Sequence, residues 1–236
     1  MRRFVKIFIP AALLSFVRRL REIYFDSYRV PAYSQEGEDL ILRRLLGDKK
    51  EGFYIDVGAH HPRRFSNTCI FYNQGWSGIN IDALPGMKSL FDRVRARDTN
   101  VEVALSSDGR EMAYTIFDDP AVSTFKAENV RWALSVGCKI LEMKTVKTST
   151  LAEVLDEHQP IDQPIDFMSV DVEGMDLEVL QSNNWGKYRP RYVLVESFGV
   201  ELKENAESQV YSYLRGINYE LCAKTVNTYI YKDTGR

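Results

Sequence analysis

After Pro10, apolar residues recur at helical spacing. Leu13, Phe16, Val17, Leu20 and Tyr24 share one face, while Arg18, Arg21 and Glu22 fall elsewhere around the cylinder. Pro10 is well placed to open that helix. Val30-Pro31-Ala32 then marks a break, and the pattern begins to alternate. Ser34 is positioned to cap a helix running through Leu46, with Leu40, Ile41 and Leu45 inward. Phe53–Val57 is a short apolar run that reads as a buried strand. A helix follows over 68–74, a strand over 78–81, a helix over 85–95 and a strand over 101–105. There the alternation stops. Strand patterns at Glu111–Phe117 and 143–147, with a turn at Asp118-Asp119-Pro120 and a helix over 126–136, form an insert. Alternation resumes with a helix at 150–157, a strongly apolar strand at 167–172, a helix over Asp176–Gln181, a strand at 192–195 and a helix at 208–214. Two closing strands, 219–223 and 228–231, are joined by a tight turn near Val226 and Asn227.

Strand–helix alternation implies an α/β fold, a doubly wound parallel sheet with helices on both faces. The two closing strands leave no room for a crossover helix, so they pair antiparallel. The expectation is a mostly parallel sheet with a reversed strand near its end. The expected domains are an N-terminal amphipathic helical segment, 1–30, and an enzyme domain, 31–236, carrying the insert at about 108–147. The chain has 236 residues, 44% apolar and 27% charged, with a net charge of −2. That balance makes no electrostatic case for nucleic acid as a partner. Cys69, Cys138 and Cys222 are scattered and odd in number, which fits buried thiols in a reducing, cytoplasmic compartment. The apolar stretch at 4–17, roughly 14 residues, is too short to span a bilayer as a helix. Its basic flanks leave two readings, a helix packed on protein or one lying peripherally on the inner face of an anionic membrane.

Ligands in such sheets sit at the carboxyl ends of the strands. Asp56, Asp82, Asp171 and Glu196 each end a predicted strand. The first loop, Asp56-Val57-Gly58-Ala59-His60-His61-Pro62, has one glycine where a dinucleotide fingerprint needs three, which disfavours NAD and FAD. No GxxxxGK[ST] run is present either. An acid at Asp82 can accept both hydroxyls of an adenosine ribose. A nucleoside cofactor with a positive centre and no phosphates fits both facts, and S-adenosylmethionine is such a molecule.

Four segments carry a family resemblance: Tyr33-Ser34-Gln35-Glu36-Gly37-Glu38-Asp39, Phe53-Tyr54-Ile55-Asp56-Val57-Gly58-Ala59-His60, Gly78-Ile79-Asn80-Ile81-Asp82-Ala83, and Ser169-Val170-Asp171-Val172-Glu173-Gly174 with the helix after it. Over about residues 33 to 199 the chain resembles the FkbM-type S-adenosylmethionine-dependent methyltransferases. The resemblance implies a class I, Rossmann-like methyltransferase with a seven-stranded sheet and an antiparallel last strand. It also implies O-methylation of a hydroxyl on a sugar, glycan or small metabolite, as in polysaccharide biosynthesis. A non-catalytic S-adenosylmethionine-binding module, or a scaffold in a glycan-assembly complex, is the alternative. Gln35, Asp39, Asp56, Gly58, Ala59, His60, Asp82, Ala83 and Asp171 are the implied cofactor residues. Asp171, Glu173 and His61 are the candidates for the base that takes the acceptor's proton, with Asp171 first because it ends the central strand at the switch point. Arg63, Ser66, Asn67, Ser123 and Glu196 are the candidate acceptor residues, with Arg64 and Thr124 beside them. A divalent metal on Asp171 and Glu196 is a further reading, but carboxylate count alone assigns no ligand set.

Overall fold

The structure is a computed structural model that describes residues 10–25, 29–196 and 208–235. It divides into two units, Met1–Ala32 and Tyr33–Arg236. In the first, α1 spans Ala11–Tyr24 and starts directly after Pro10, whose carbonyl accepts from the Leu13 and Leu14 amides. The apolar positions 4–9 lie outside the described residues, as do Arg2, Arg3 and Lys6.

The second unit begins with α2 (Glu38–Leu46), β1 (Phe53–Val57), α3 (Cys69–Asn73), β2 (Ser77–Asp82), α4 (Met87–Val94) and β3 (Thr99–Glu102). Next come β4 (Ala104–Leu105), β5 (Glu111–Phe117), α5 (Ala127–Ser135), β6 (Ile140–Ser149) and α6 (Leu151–His158). It ends with β7 (Phe167–Val170), α7 (Asp176–Gln181), β8 (Tyr192–Glu196), α8 (Gln209–Gly216), β9 (Tyr219–Lys224) and β10 (Thr228–Asp233). Seven strands form one sheet in the order β3-β2-β1-β7-β8-β10-β9. β10 runs antiparallel between β8 and β9, while the other described pairings are parallel. The expected α/β sheet with a reversed last strand is therefore what the chain forms.

The central strands β1, β7 and β8 are buried and mostly apolar because both faces are covered. Ile55, Val57, Ile79, Met168, Val170 and Val193 point to one face, under Leu151, Leu155, Val179 and Leu214 of the helices. Tyr54, Phe167, Leu194 and Ile230 point to the other, under Leu42, Leu46, Ile70 and Phe71.

Two boundaries differ from the sequence expectation. Ser34 is not the N-cap residue of α2, although its hydroxyl accepts from the Asp39 amide at 3.4 Å. Gly37, at φ +88°, turns the chain into a helix that starts at Glu38, while the Ser34 hydroxyl donates to Asp39 Oδ1 at 2.8 Å. The apolar run at 101–105 also serves two sheets. β3 closes the main sheet, and Ala104 and Leu105 pair instead with Thr148 and Ser149 of β6 in the three-stranded insert sheet β4-β6-β5. Apolar composition does not record which sheet supplies the partner.

Beneath the β1–α3 loop lies a fully buried cation. Arg95 donates to the Pro62 carbonyl through Nε at 3.0 Å and Nη2 at 2.6 Å. It also donates to the Thr68 hydroxyl at 2.6 Å and the Ser66 hydroxyl at 2.6 Å. Thr68 in turn donates to Asp56 Oδ2 at 2.6 Å. On the other side Arg95 stands 3.9 Å from Asp98, which accepts from the Tyr54 hydroxyl, the Asn80 amide and the Gly78 backbone. Burial raises the pKa of both Asp56 and Asp98, and the guanidinium opposes that shift. Arg95→Met is expected to cost about 3–5 kcal/mol of unfolding free energy, because it strands two buried acids and three buried acceptors. Urea unfolding monitored by circular dichroism checks this, and a loss under about 1 kcal/mol contradicts the assigned role.

Candidate active site

Because β1, β2, β7 and β8 are parallel, their carboxyl ends open on one edge of the sheet. A cavity of about 650 Å³ lies there. Asp82 ends β2, Glu196 ends β8 and Asp171 follows β7, and all three line the cavity. Asp56 does not line it. It sits one residue before the end of β1, so its side chain points to the opposite face from Val57 and joins the Thr68–Arg95 network.

The loop after β1 reaches the cavity through Gly58 and His60. Gly58 adopts φ +76°, and a Cβ there would stand 1.7 Å from the Asp171 carbonyl oxygen, so no other residue fits. The Gly58 and Ala59 amides both donate to the Ile81 carbonyl, and the His60 amide donates to Asp82 Oδ2 at 2.7 Å. Asp82 Oδ1 accepts from the Leu84 amide at 2.7 Å. One carboxylate thus joins the loops after β1 and β2. Each of its oxygens keeps a lone pair for a ligand hydroxyl. Burial pushes Asp82 up to about 6 despite those two amides. His60 is held below the usual imidazole range by burial and by nearby Arg64, and its Nε2 is buried without a partner. Beyond Asp82 the wall is apolar: Ala83, Leu84, Val103, Leu105, Tyr114 and Phe125. The last two rings stack with centroids 4.4 Å apart.

Opposite that wall the charge concentrates. Asp171, Glu173 and Glu196 each bring a carboxylate oxygen within 4.8 Å of the others, a spacing one cation could span. Burial and then the Glu196 charge raise Asp171 well above the usual carboxylate range, and its carboxyl is hydrogen-bonded to Glu196. Asp171 Oδ1 is buried with no partner. Burial, with Asp171 beside it, pushes Glu173 up to about 8, and burial carries Glu196 to about 7. Asp176, whose carboxylate accepts from the Val172 and Gly174 amides at 3.2 Å, is likewise raised to about 7, mainly by burial. The backbone here is strained, with Glu173 at φ +51°. The insert holds it there: Thr124 and Asn129 both donate to the Glu173 carbonyl, at 3.1 and 2.8 Å.

The remaining candidates divide. Gln35, Ala83 and Ser123 line the cavity. Asp39 is buried and accepts from the Tyr33 amide and the Ser34 hydroxyl, which folds the segment before α2. Ala59 is buried behind the loop. Ser66 is a partner of Arg95, and Asn67 donates to the Ser169 hydroxyl at 3.0 Å. Arg63 is exposed and away from the cavity. His61 Nδ1 accepts from the Arg63 and Arg64 amides at 3.1 and 3.0 Å. That places the ring proton on Nε2 in the neutral imidazole and leaves no lone pair for base work. Arg64, Phe65, Tyr114, Asn129 and Trp132 also line the cavity. Of these, Tyr114 had a sequence signal, the alternation of β5 that puts it on the same side as Ile116.

The sequence signature of the methyltransferase FkbM domain matches residues 56–221. No curated protein matches the chain. Solved structures similar to it include the following three. A TehB-like SAM-dependent methyltransferase from Corynebacterium glutamicum is 10% identical, covering 96% of this chain and 100% of that one, with a TM-score of 0.40. The 1,6-didemethyltoxoflavin-N1-methyltransferase of Burkholderia thailandensis, with bound 1,6-didemethyltoxoflavin and S-adenosylhomocysteine, is 14% identical over 98% of this chain and 93% of that one, with a TM-score of 0.40. An O-methyltransferase from Bacillus cereus in complex with S-adenosylhomocysteine is 8% identical over 96% and 92%, with a TM-score of 0.42.

Raised carboxylate pKa values mean that the folded chain binds more protons than the unfolded one above about pH 4. Stability is therefore expected to fall as pH rises from that range through about 8, the value for Glu173. Thermal melts between those limits should show the decline. Glu173→Gln should flatten its upper part, and an unchanged slope in that variant overturns the assignment.

Proposed function

The chain belongs to the FkbM methyltransferase family, and on that premise we propose that it transfers the methyl group of S-adenosylmethionine to a hydroxyl oxygen of a sugar, glycan or small metabolite. The observation that carries the reading is one cavity in which a ribose-competent acid faces an apolar slot while three further carboxylates crowd the other side.

The residues present fit this donor. Asp82 is placed to accept two ribose hydroxyls, with the adenine against Ala83, Leu84, Tyr114 and Phe125. Asp171 lines the cavity, its Oδ1 is unpartnered, and its carboxyl group has a strongly raised proton affinity. A positive ligand relieves that cost, because an opposite charge within a few ångström favours the ionised carboxylate. When bound, S-adenosylmethionine supplies a methyl group on a cationic sulfur that leaves as a neutral thioether. The chain's own part is to bind, orient and remove a proton. Asp171 and Glu196 share a hydrogen bond and hold each other in place. Glu173 is the base: it lines the cavity, its backbone is pinned by Thr124 and Asn129, and a pKa of about 8 suits proton acceptance near neutrality.

The acceptor side carries exposed rings. Phe65 is 45% and Trp132 55% exposed, and both border the cavity. Asn129, Ser123 and Arg64 lie among them. Ring faces interleaved with hydrogen-bonding groups suit the alternating C–H and hydroxyl surface of a sugar.

Calorimetric titration with S-adenosylhomocysteine, beside a labelled-methyl assay over sugar and nucleoside acceptors, tests the reading. Asp82→Ala is expected to weaken binding by at least about tenfold, the worth of one to two lost hydrogen bonds. Glu173→Gln should bind S-adenosylhomocysteine normally while losing about 10²–10⁴ in transfer rate. Label appearing on amines but on no hydroxyl compound overturns oxygen as the acceptor atom. Binding without transfer to any acceptor favours a non-catalytic module.

A further inference from the structure

The amphipathic helix α1 is not used by the chemistry above. On a helical projection Ala12, Leu13, Phe16, Val17, Leu20, Ile23 and Tyr24 occupy one continuous arc. Arg19 and Arg21 stand at its two edges, and Arg18 and Glu22 lie on the far side. No residue of the helix is buried, and Phe16 and Ile23 are 58% and 64% exposed.

Charge says what fits this face. Residues 1–32 carry seven Lys and Arg against two acids, a net of +5. Residues 33–236 carry 24 basic and 31 acidic side chains, a net of −7. A second copy of the chain would bring the same basic edges to the contact and repel them. An anionic surface complements them, and arginines at the rim of an apolar arc keep their heads in water while their stems lie on hydrocarbon. At 14 residues the helix is about 21 Å long, too short to cross a hydrocarbon core of about 30 Å. No described helix is long and apolar enough to span a membrane.

We propose that α1 lies in the plane of an anionic lipid surface, with Phe16, Leu20 and Ile23 inserted and Arg19 and Arg21 at the headgroups. The attraction must come from this segment, since the remainder of the chain is net negative.

The test is flotation of the full chain with phosphatidylcholine vesicles, with or without about 30% phosphatidylglycerol, at about 0.1 M salt. Binding at least about tenfold stronger to the anionic vesicles is expected, weakening as salt is raised. Phe16→Asp with Leu20→Asp should abolish flotation. Arg19→Glu with Arg21→Glu should weaken it by at least about tenfold. Unchanged melting temperatures and unchanged S-adenosylhomocysteine affinity in these variants separate lipid binding from folding and from the methyltransferase reading. Equal binding to both vesicle types, no binding, or variants that float like the parent overturn the proposal. So does a dimer in light scattering that Phe16→Asp dissolves while flotation is absent, because the face then belongs to a second copy.

Discussion

Parallel strands finish on the same edge, and that constraint places Asp82, Asp171 and Glu196 around one cavity. No local preference asks for acids to gather. They meet because β2, β7 and β8 are hydrogen-bonded in one direction and each carries its acid at or just after its last paired residue. The same geometry brings the backbone of the first loop against the carbonyl of Asp171, leaving room for glycine alone. Local charge and the edge on which the cleft opens follow from strand polarity.

The chain treats its buried acids in two ways. Below the first loop, Asp56 and Asp98 are answered from within by the Arg95 guanidinium and by hydroxyl and amide donors. That cluster is structural, and the chain itself supplies its donors whether or not a ligand enters. Above the loop, Asp171, Glu173 and Glu196 lean on one another and on protons. Arg95 therefore does for the scaffold what a positively charged ligand does for the cleft. In the register of β1 and β7, Asp56 stands opposite Ser169, inside the paired strands and two residues short of Asp171.

That short offset marks the limit of what the sequence made legible. The alternation of strands and helices, the reversed last strand and the acids at strand ends are periodic features, and they read directly. Asp56 and Asp171 look alike in sequence, yet strand pleating sends the first away from the cavity. Ser66 and Asn67 resembled an acceptor-side loop, but their partners, Arg95 and Ser169, lie 29 and 102 residues away. The expected helix over 85–95 did not mark out Arg95, which follows the last helical residue Val94 and is buried. The insert was no clearer: nothing periodic links Thr124 and Asn129 to the carbonyl of Glu173.

The position of β10 bears on how the chain is made. β9 joins the sheet only through β10, which is paired to β8 on its other side. During synthesis the edge of β8 has no partner until residues 228–233 have left the ribosome. Until then β9 has no strand to pair with. The β1–β2–β3 half of the sheet can assemble early from nearby segments, whereas the closing half waits for the strand made last among those described. The turn at 225–227, gripped by Glu36 through the Asn227 amides at 2.8 and 2.9 Å, joins that late strand to the segment leading into α2. Completion of the sheet and ordering of the cavity's Gln35 edge thus wait on the same strand.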